Sequence, residues 1–151
     1  NQYADLGGPA VSTAAAKLGF QTVAEALVPD DLEKIAATVR AFARQGCHLV
    51  LTTGGTGIGP RDVTPEALAA LGGKDIPGFG ELFRWLSYAK IGTSTIQSRA
   101  CAVVSRGTYI FALPGSTGAV KDGWDDILVH QLDSRFRPCN FVELMPRLKE
   151  V

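Results

Sequence analysis

The chain has 151 residues, fifteen basic and fifteen acidic side chains, 46% hydrophobic and 20% charged residues. That composition fits one globular domain and excludes disorder. With the charges cancelling, nothing biases the molecule toward nucleic acid or a membrane, so an anion would have to be held locally. Cys47, Cys101 and Cys139 are far apart, odd in number and form no CxxC pair, which argues against a disulfide framework and a zinc site. No apolar run approaches the roughly 20 residues that span a bilayer and no basic-then-apolar leader opens the chain, so a reducing, cytoplasmic setting is expected.

In chain order, Pro9 to Leu18 is alanine-rich with apolar residues at helical spacing, Phe20 to Val28 alternates apolar and polar positions, and Asp30 to Arg44 is again helical, predicting helix, strand, helix. Within the third segment DDLE has the spacing of a capping box, with Asp30 as N-cap and Glu33 reaching back. Leu49 to Thr52 is a second strand and runs into TTGGTGIGPRDVTPEAL, after which Thr64 is a good N-cap, Pro65 suits a first helical turn and Glu66 favours the macrodipole. Ile76 to Ala89 places Phe79, Leu82, Phe83 and Leu86 on one helical face, and Phe79, Phe83 and Trp85 read as core or subunit contact. Ala102 to Val104 and Tyr109 to Leu113 are strands on either side of the turn-like Ser105 to Gly107. The second ends in PGSTG, where Ser116 is placed to cap a helix whose stripe is Val120, Trp124, Ile127 and Leu128. Asp133 to Val151 reads as an extended tail with a short last turn. Strands alternating with helices imply one domain, a three-layer α/β/α sandwich with a mostly parallel sheet, in which ligands bind beyond the carboxyl ends of the strands.

The glycine turn carries the chemistry. Gly54, Gly55, Gly57 and Gly59 allow a ligand close to backbone N–H groups, and such a turn before a helix favours an anion, usually phosphate. Asp62 adds a carboxylate of the kind that holds Mg²⁺ together with substrate phosphate oxygens. The same string also reads as a plain strand-to-helix connection, with Asp62 shaping the turn. It matches neither GxGxxG nor GxxxxGK[ST], so neither a dinucleotide oxidoreductase nor a P-loop NTPase is supported. Whether the loops after Leu51 and after Leu113 converge depends on which strands are neighbours.

LVPDD at Leu27 to Asp31, HLVLTTGGTGIGPRDVTPEAL at His48 to Leu68, PGFGELFR at Pro77 to Arg84 and ALPGS at Ala112 to Ser116 occur in the order of the molybdenum-cofactor biosynthesis family that includes molybdopterin adenylyltransferase and its paralogue protein B, relatives of the gephyrin G domain. The chain resembles that family over nearly its whole length. QLDSRFRPCNF at Gln131 to Phe141 looks like the tail of the protein B branch, whereas RDVTPEA resembles the adenylyltransferases. The resemblance implies transfer of AMP from Mg²⁺-ATP to the terminal phosphate of molybdopterin, with release of pyrophosphate. It puts Asp30 and Asp62 in the catalytic and Mg²⁺-binding roles, and Thr53, Gly54, Gly55, Thr56, Gly57, Arg61, Pro114, Gly115, Ser116 and Thr117 around pterin and nucleotide phosphates. It also implies a homotrimer or homohexamer without nucleic-acid or membrane partners. Family members begin with a strand and a serine- and aspartate-rich loop. Here Tyr3, Asp5, Gly7 and Pro9 already resemble the segment beyond that loop, so the first strand is absent from these residues and a longer protein is expected. A molybdopterin-binding paralogue without catalysis, or an oligomeric scaffold, is the alternative.

Overall fold

The computed structural model describes residues 7–150, with residues 7–11 as backbone alone. Tyr3 and Asp5, on which the expectation of a missing strand partly rests, lie outside them. Helix α1 (Gly7–Lys17) leads into a stretch that is not the expected strand. Residues 20–28 have no regular structure, and Val23 and Leu27 are exposed at 64% and 74%. Alternation yields a strand only where a neighbour takes its backbone hydrogen bonds. Here, among the described residues, the segment is tethered by a side chain instead, Ser12 donating to Glu25 at 2.8 Å.

Helix α2 (Leu32–Arg44) is capped by Asp31, not Asp30. The Asp31 amide donates to the Pro29 carbonyl at 2.7 Å, its backbone is extended, and its carboxylate accepts from the Lys34 amide at 3.0 Å. This takes the capping role from Asp30. Next come strand β1 (Leu49–Thr53), helix α3 (Thr64–Ala69), the short strand β2 (Lys74–Asp75), helix α4 (Pro77–Ile91), and strands β3 (Cys101–Ser105) and β4 (Thr108–Leu113). Helix α5 (Thr117–Gly123) continues through a π turn, Trp124–Leu128, into α6 (Val129–Gln131), and the tail closes with α7 (Phe141–Leu144) and a 3-10 turn, Met145–Lys149. The tail is thus more helical than expected, because Asn140, buried, caps α7 by accepting from the Glu143 amide at 2.9 Å.

The sheet order is β1-β4-β3-β2. Among the described strands only β1 and β4 are parallel; β3 pairs antiparallel with β4 and β2 antiparallel with β3, so the sheet is mixed where the sequence suggested mostly parallel. The cause is local: β3 and β4 are joined by Arg106 and Gly107 alone, both at positive φ (52° and 82°), and a two-residue loop joins only antiparallel neighbours. Along β4 the side chains alternate between two cores. Tyr109, Phe111 and Leu113 face α4, α5 and the tail, and Ile110 and Ala112 face α2 and α3 with Val39 and Leu68. The three layers are therefore present. The α5 stripe of Val120, Trp124, Ile127 and Leu128 is buried as read, as are Phe79 and Phe83 on α4. Leu82 instead faces outward at 39% exposure, because α4 covers the sheet with one narrow face, and Trp85, read as core or subunit contact, is 72% exposed and so is not core.

Candidate functional site

Parallel pairing of β1 with β4 settles the convergence of the two loops, since both strands end at the same edge with Thr53 opposite Leu113. The Gly54 amide donates to the Leu113 carbonyl at 2.9 Å, and a Cβ on Gly115 would lie 3.3 Å from the Gly54 Cα. Thr53 and Gly54 thus lie against Leu113 and Gly115, with Gly55 and Pro114 next to them in the chain. Ser116 and Thr117 lie beyond them at the exposed start of α5, where the Ser116 hydroxyl accepts from the Ala119 amide at 3.2 Å, the cap the sequence suggested.

The hydrogen bonds within the glycine loop are one-sided. Thr64 donates its hydroxyl to the Gly54 carbonyl and its amide to the Gly55 carbonyl, each at 3.0 Å. Arg99 donates its amide to the Thr56 carbonyl and its Nε to the Gly57 carbonyl, each at 2.7 Å. Four consecutive carbonyls are therefore tied to Thr64 and Arg99. In a planar trans peptide the next residue's N–H points opposite to the carbonyl. The N–H groups of Gly55, Thr56, Gly57 and Ile58 consequently point away from Thr64 and Arg99, and among the described residues none of them donates to a protein acceptor. Gly54 and Gly55 make this possible through positive φ of 94° and 71°. These donors lie before Val63, the N-cap of α3, so they are the loop's own amides and not a helix end. Thr64, read as the cap of α3, spends its hydroxyl on the loop, and no side chain caps that helix.

Asp62 folds back beneath the loop. Its Oδ2 accepts from the Gly59 amide at 2.9 Å, and a Cβ on Gly57 would come within 2.8 Å of that oxygen. Thr56 is buried and Arg61 exposed. Thr52, near the end of β1, holds a buried hydroxyl without a partner among the described residues, a group that a ligand or water would satisfy. Asp30 stands apart, exposed in the bend before α2. Since α2 packs on β1 and returns into it through residues 45–48, its N-terminal end lies toward the same sheet edge, yet no hydrogen bond joins Asp30 to either loop among the described residues. No group of three or more His, Cys, Asp or Glu side chains among the described residues forms a metal cage by itself.

Sequence reasoning missed Arg99. Its guanidinium also donates to the Asp62 carbonyl at 2.6 Å and pairs with both carboxylate oxygens of Glu66. That hydrogen bond holds the Glu66 carboxyl below its ordinary range and raises the guanidinium further. Glu66 was legible only as a first-turn acid, because its partner is 33 residues away. Two residues beyond Arg99, burial pushes the Cys101 thiol up.

Fold and loop together define a three-layer α/β domain with an amide-lined cradle at the carboxyl edge of its sheet. The family model for a probable molybdopterin binding domain matches residues 1–134. The molybdenum cofactor biosynthesis protein B of Escherichia coli K12 is 46% identical over 147 residues, covering 97% of this chain and 85% of that protein. A crystal structure of a molybdenum cofactor biosynthesis protein B superposes with a TM-score of 0.85 at 34% identity, covering 100% of this chain and 89% of the other. That of a tungsten cofactor synthesizing protein from Pyrococcus furiosus gives 0.83 at 32% identity over 99% and 89%. The chain belongs to the molybdopterin-binding domain family of molybdenum cofactor biosynthesis proteins.

Proposed function

We propose that the protein acts in molybdenum cofactor biosynthesis as a molybdopterin adenylyltransferase that uses ATP. The observation that carries this reading is the row of unspent N–H groups from Gly55 to Ile58, opposite four tied carbonyls, in a family whose model is a molybdopterin binding domain. A terminal phosphate oxygen of molybdopterin attacks the α-phosphorus of ATP. The new P–O bond forms as the bond to the β-phosphate bridging oxygen breaks, and pyrophosphate leaves with that electron pair. The nucleophile is already anionic at neutral pH, so no general base is required. Backbone amides of the loop would stabilise the oxygens on which charge accumulates, and Arg61, exposed at the loop's end, would add a positive charge.

The residues fit Mg²⁺ in the way that ion is ordinarily held, by one or two carboxylates with phosphate oxygens and water. Asp62 would hold it, since its Oδ1 has no hydrogen bond among the described residues, and Asp30 at the same sheet edge would be the second carboxylate. When bound, the ion neutralises developing phosphoryl charge. The rest of the site, Thr53 to Gly57 and Pro114 to Thr117, would shape the pocket for pterin and nucleotide phosphates. Adenylylated pterin formed from molybdopterin, ATP and Mg²⁺ by wild type, and lost by ~100-fold or more in Asp62→Asn, is the expected result. Full activity of Asp62→Asn would remove Asp62 from the mechanism. Tight pterin binding without product would favour the non-catalytic reading.

A further inference from the structure

The motif PGFGELFR takes no direct part in that chemistry, yet hydrogen bonds connect it to the cradle. Arg84, in its last position, donates from one guanidinium nitrogen to the Ala100 carbonyl at 2.9 Å and to the Ser98 carbonyl at 3.3 Å, the residues on either side of Arg99. Thr95 donates to the Arg84 carbonyl at 2.8 Å. Gly80 is what lets α4 approach: a Cβ there would lie 2.5 Å from the Ala100 carbonyl oxygen and 2.8 Å from the Arg84 guanidinium. One arginine thus fixes the backbone that presents the other. From the opposite side Glu66, in the first turn of α3, orients the Arg99 guanidinium.

We propose that Arg99, seated by Arg84 and Glu66, is the positioning residue that sets the Thr56–Gly57 and Gly57–Ile58 peptide planes with their N–H groups toward a bound phosphate. The inference rests on reading this loop as a phosphate site. Thr64 sets the two preceding peptides, so each half of the cradle has its own anchor. The planes need an anchor because Gly57 has no side chain to hinder their rotation, and a rotated peptide would turn a carbonyl toward the anion. Lysine cannot replace Arg99: one ammonium does not span the Gly57 carbonyl, the Asp62 carbonyl and Glu66 as the planar fork does.

The test titrates inorganic pyrophosphate into the full chain and into Arg99→Lys and Arg99→Ala, with backbone amide NMR signals and urea unfolding followed on the same samples. Wild type is expected to bind, with shifts at Gly57 and Ile58. Both variants should lose about tenfold or more in affinity, together with the Ile58 shift, while unfolding cooperatively, because the side chain holds the Gly57 carbonyl whereas the backbone amide at position 99 still holds the Thr56 carbonyl. Methylguanidinium should restore part of the affinity of Arg99→Ala. Unchanged affinity in Arg99→Lys, or a loss in Arg99→Ala that methylguanidinium leaves untouched, overturns the positioning role. If Arg99→Ala does not fold, Arg99→Lys decides alone. Wild type that binds no pyrophosphate overturns the phosphate reading itself, and the two failures are thereby distinguished.

Discussion

Gly55→Ala tests the architecture of the loop most directly, because two separable costs meet there. Its φ is +71°, where an alanine costs about 1–2 kcal/mol. Its Cβ would also stand 2.3 Å from the Thr64 hydroxyl oxygen and 3.3 Å from the Thr64 Cβ. Thr64 is buried, so relief means turning the hydroxyl off the Gly54 carbonyl, and an unsatisfied buried group adds roughly 1–3 kcal/mol. The expected loss is about 2–5 kcal/mol, or roughly 5–15 °C in Tm for a chain of this size. Gly72 supplies the control, since it has the same φ of +71° with nothing within 4 Å of its Cβ, and Gly72→Ala should cost only the backbone part. In a Thr64→Ala background the hydroxyl clash disappears and only the 3.3 Å contact with the residue-64 Cβ remains, so Gly55→Ala should fall close to the Gly72→Ala value. Urea unfolding of the four variants measures this as a double-mutant cycle. Equal losses for Gly55→Ala and Gly72→Ala, or a Gly55→Ala cost undiminished by Thr64→Ala, would refute the assigned role of Thr64.

Two further expectations concern the same framework. The Arg99 guanidinium depresses the Glu66 carboxyl, so the stabilisation from this pair is present above the ordinary glutamate range and is lost as pH falls through the depressed value. Because the pair is largely solvent-exposed, Glu66→Gln should cost no more than about 1 kcal/mol at neutral pH and low salt. The difference should vanish in acid and shrink in high salt, and urea midpoints across pH measure it; a difference that persists in acid would show that packing, not charge, is responsible. Tyr109→Phe keeps the ring stacked on Phe141, with centroids 4.8 Å apart, but removes the hydroxyl that donates to the Phe141 carbonyl at 2.9 Å. A loss of about 1–2 kcal/mol in urea unfolding is expected, with pyrophosphate affinity unchanged, because α7 is pinned on the core far along the chain from the loop.

The glycine loop and Asp62 were legible because their interactions are local: Asp62 bonds the Gly59 amide three residues away, and consecutive glycines permit positive φ wherever they occur. The stripes of α4 and α5 were legible through periodicity, though periodicity overcounted on α4, where Leu82 shares the pattern of Phe79 and Phe83 but not the cover. The choice of Asp31 over Asp30 as cap escaped the pattern because adjacent aspartates carry the same chemistry, and a backbone bond to Pro29 decided between them. Phe20 to Val28 has a strand's alternation without a strand's neighbour.

By itself, then, the sequence determined the helices before the tail, most of the strands, the glycine turn with its carboxylate, and a family resemblance carried by long contiguous strings. Each of these depends on residues a few positions apart. Only the tertiary structure decided that β4 lies between β1 and β3, which brings Gly54 against Gly115, and that Arg99 reaches back to Thr56, Gly57, Asp62 and Glu66. A guanidinium's partners are chosen by whichever carbonyls packing brings within about 3 Å of its fork, and no spacing along the chain encodes that meeting.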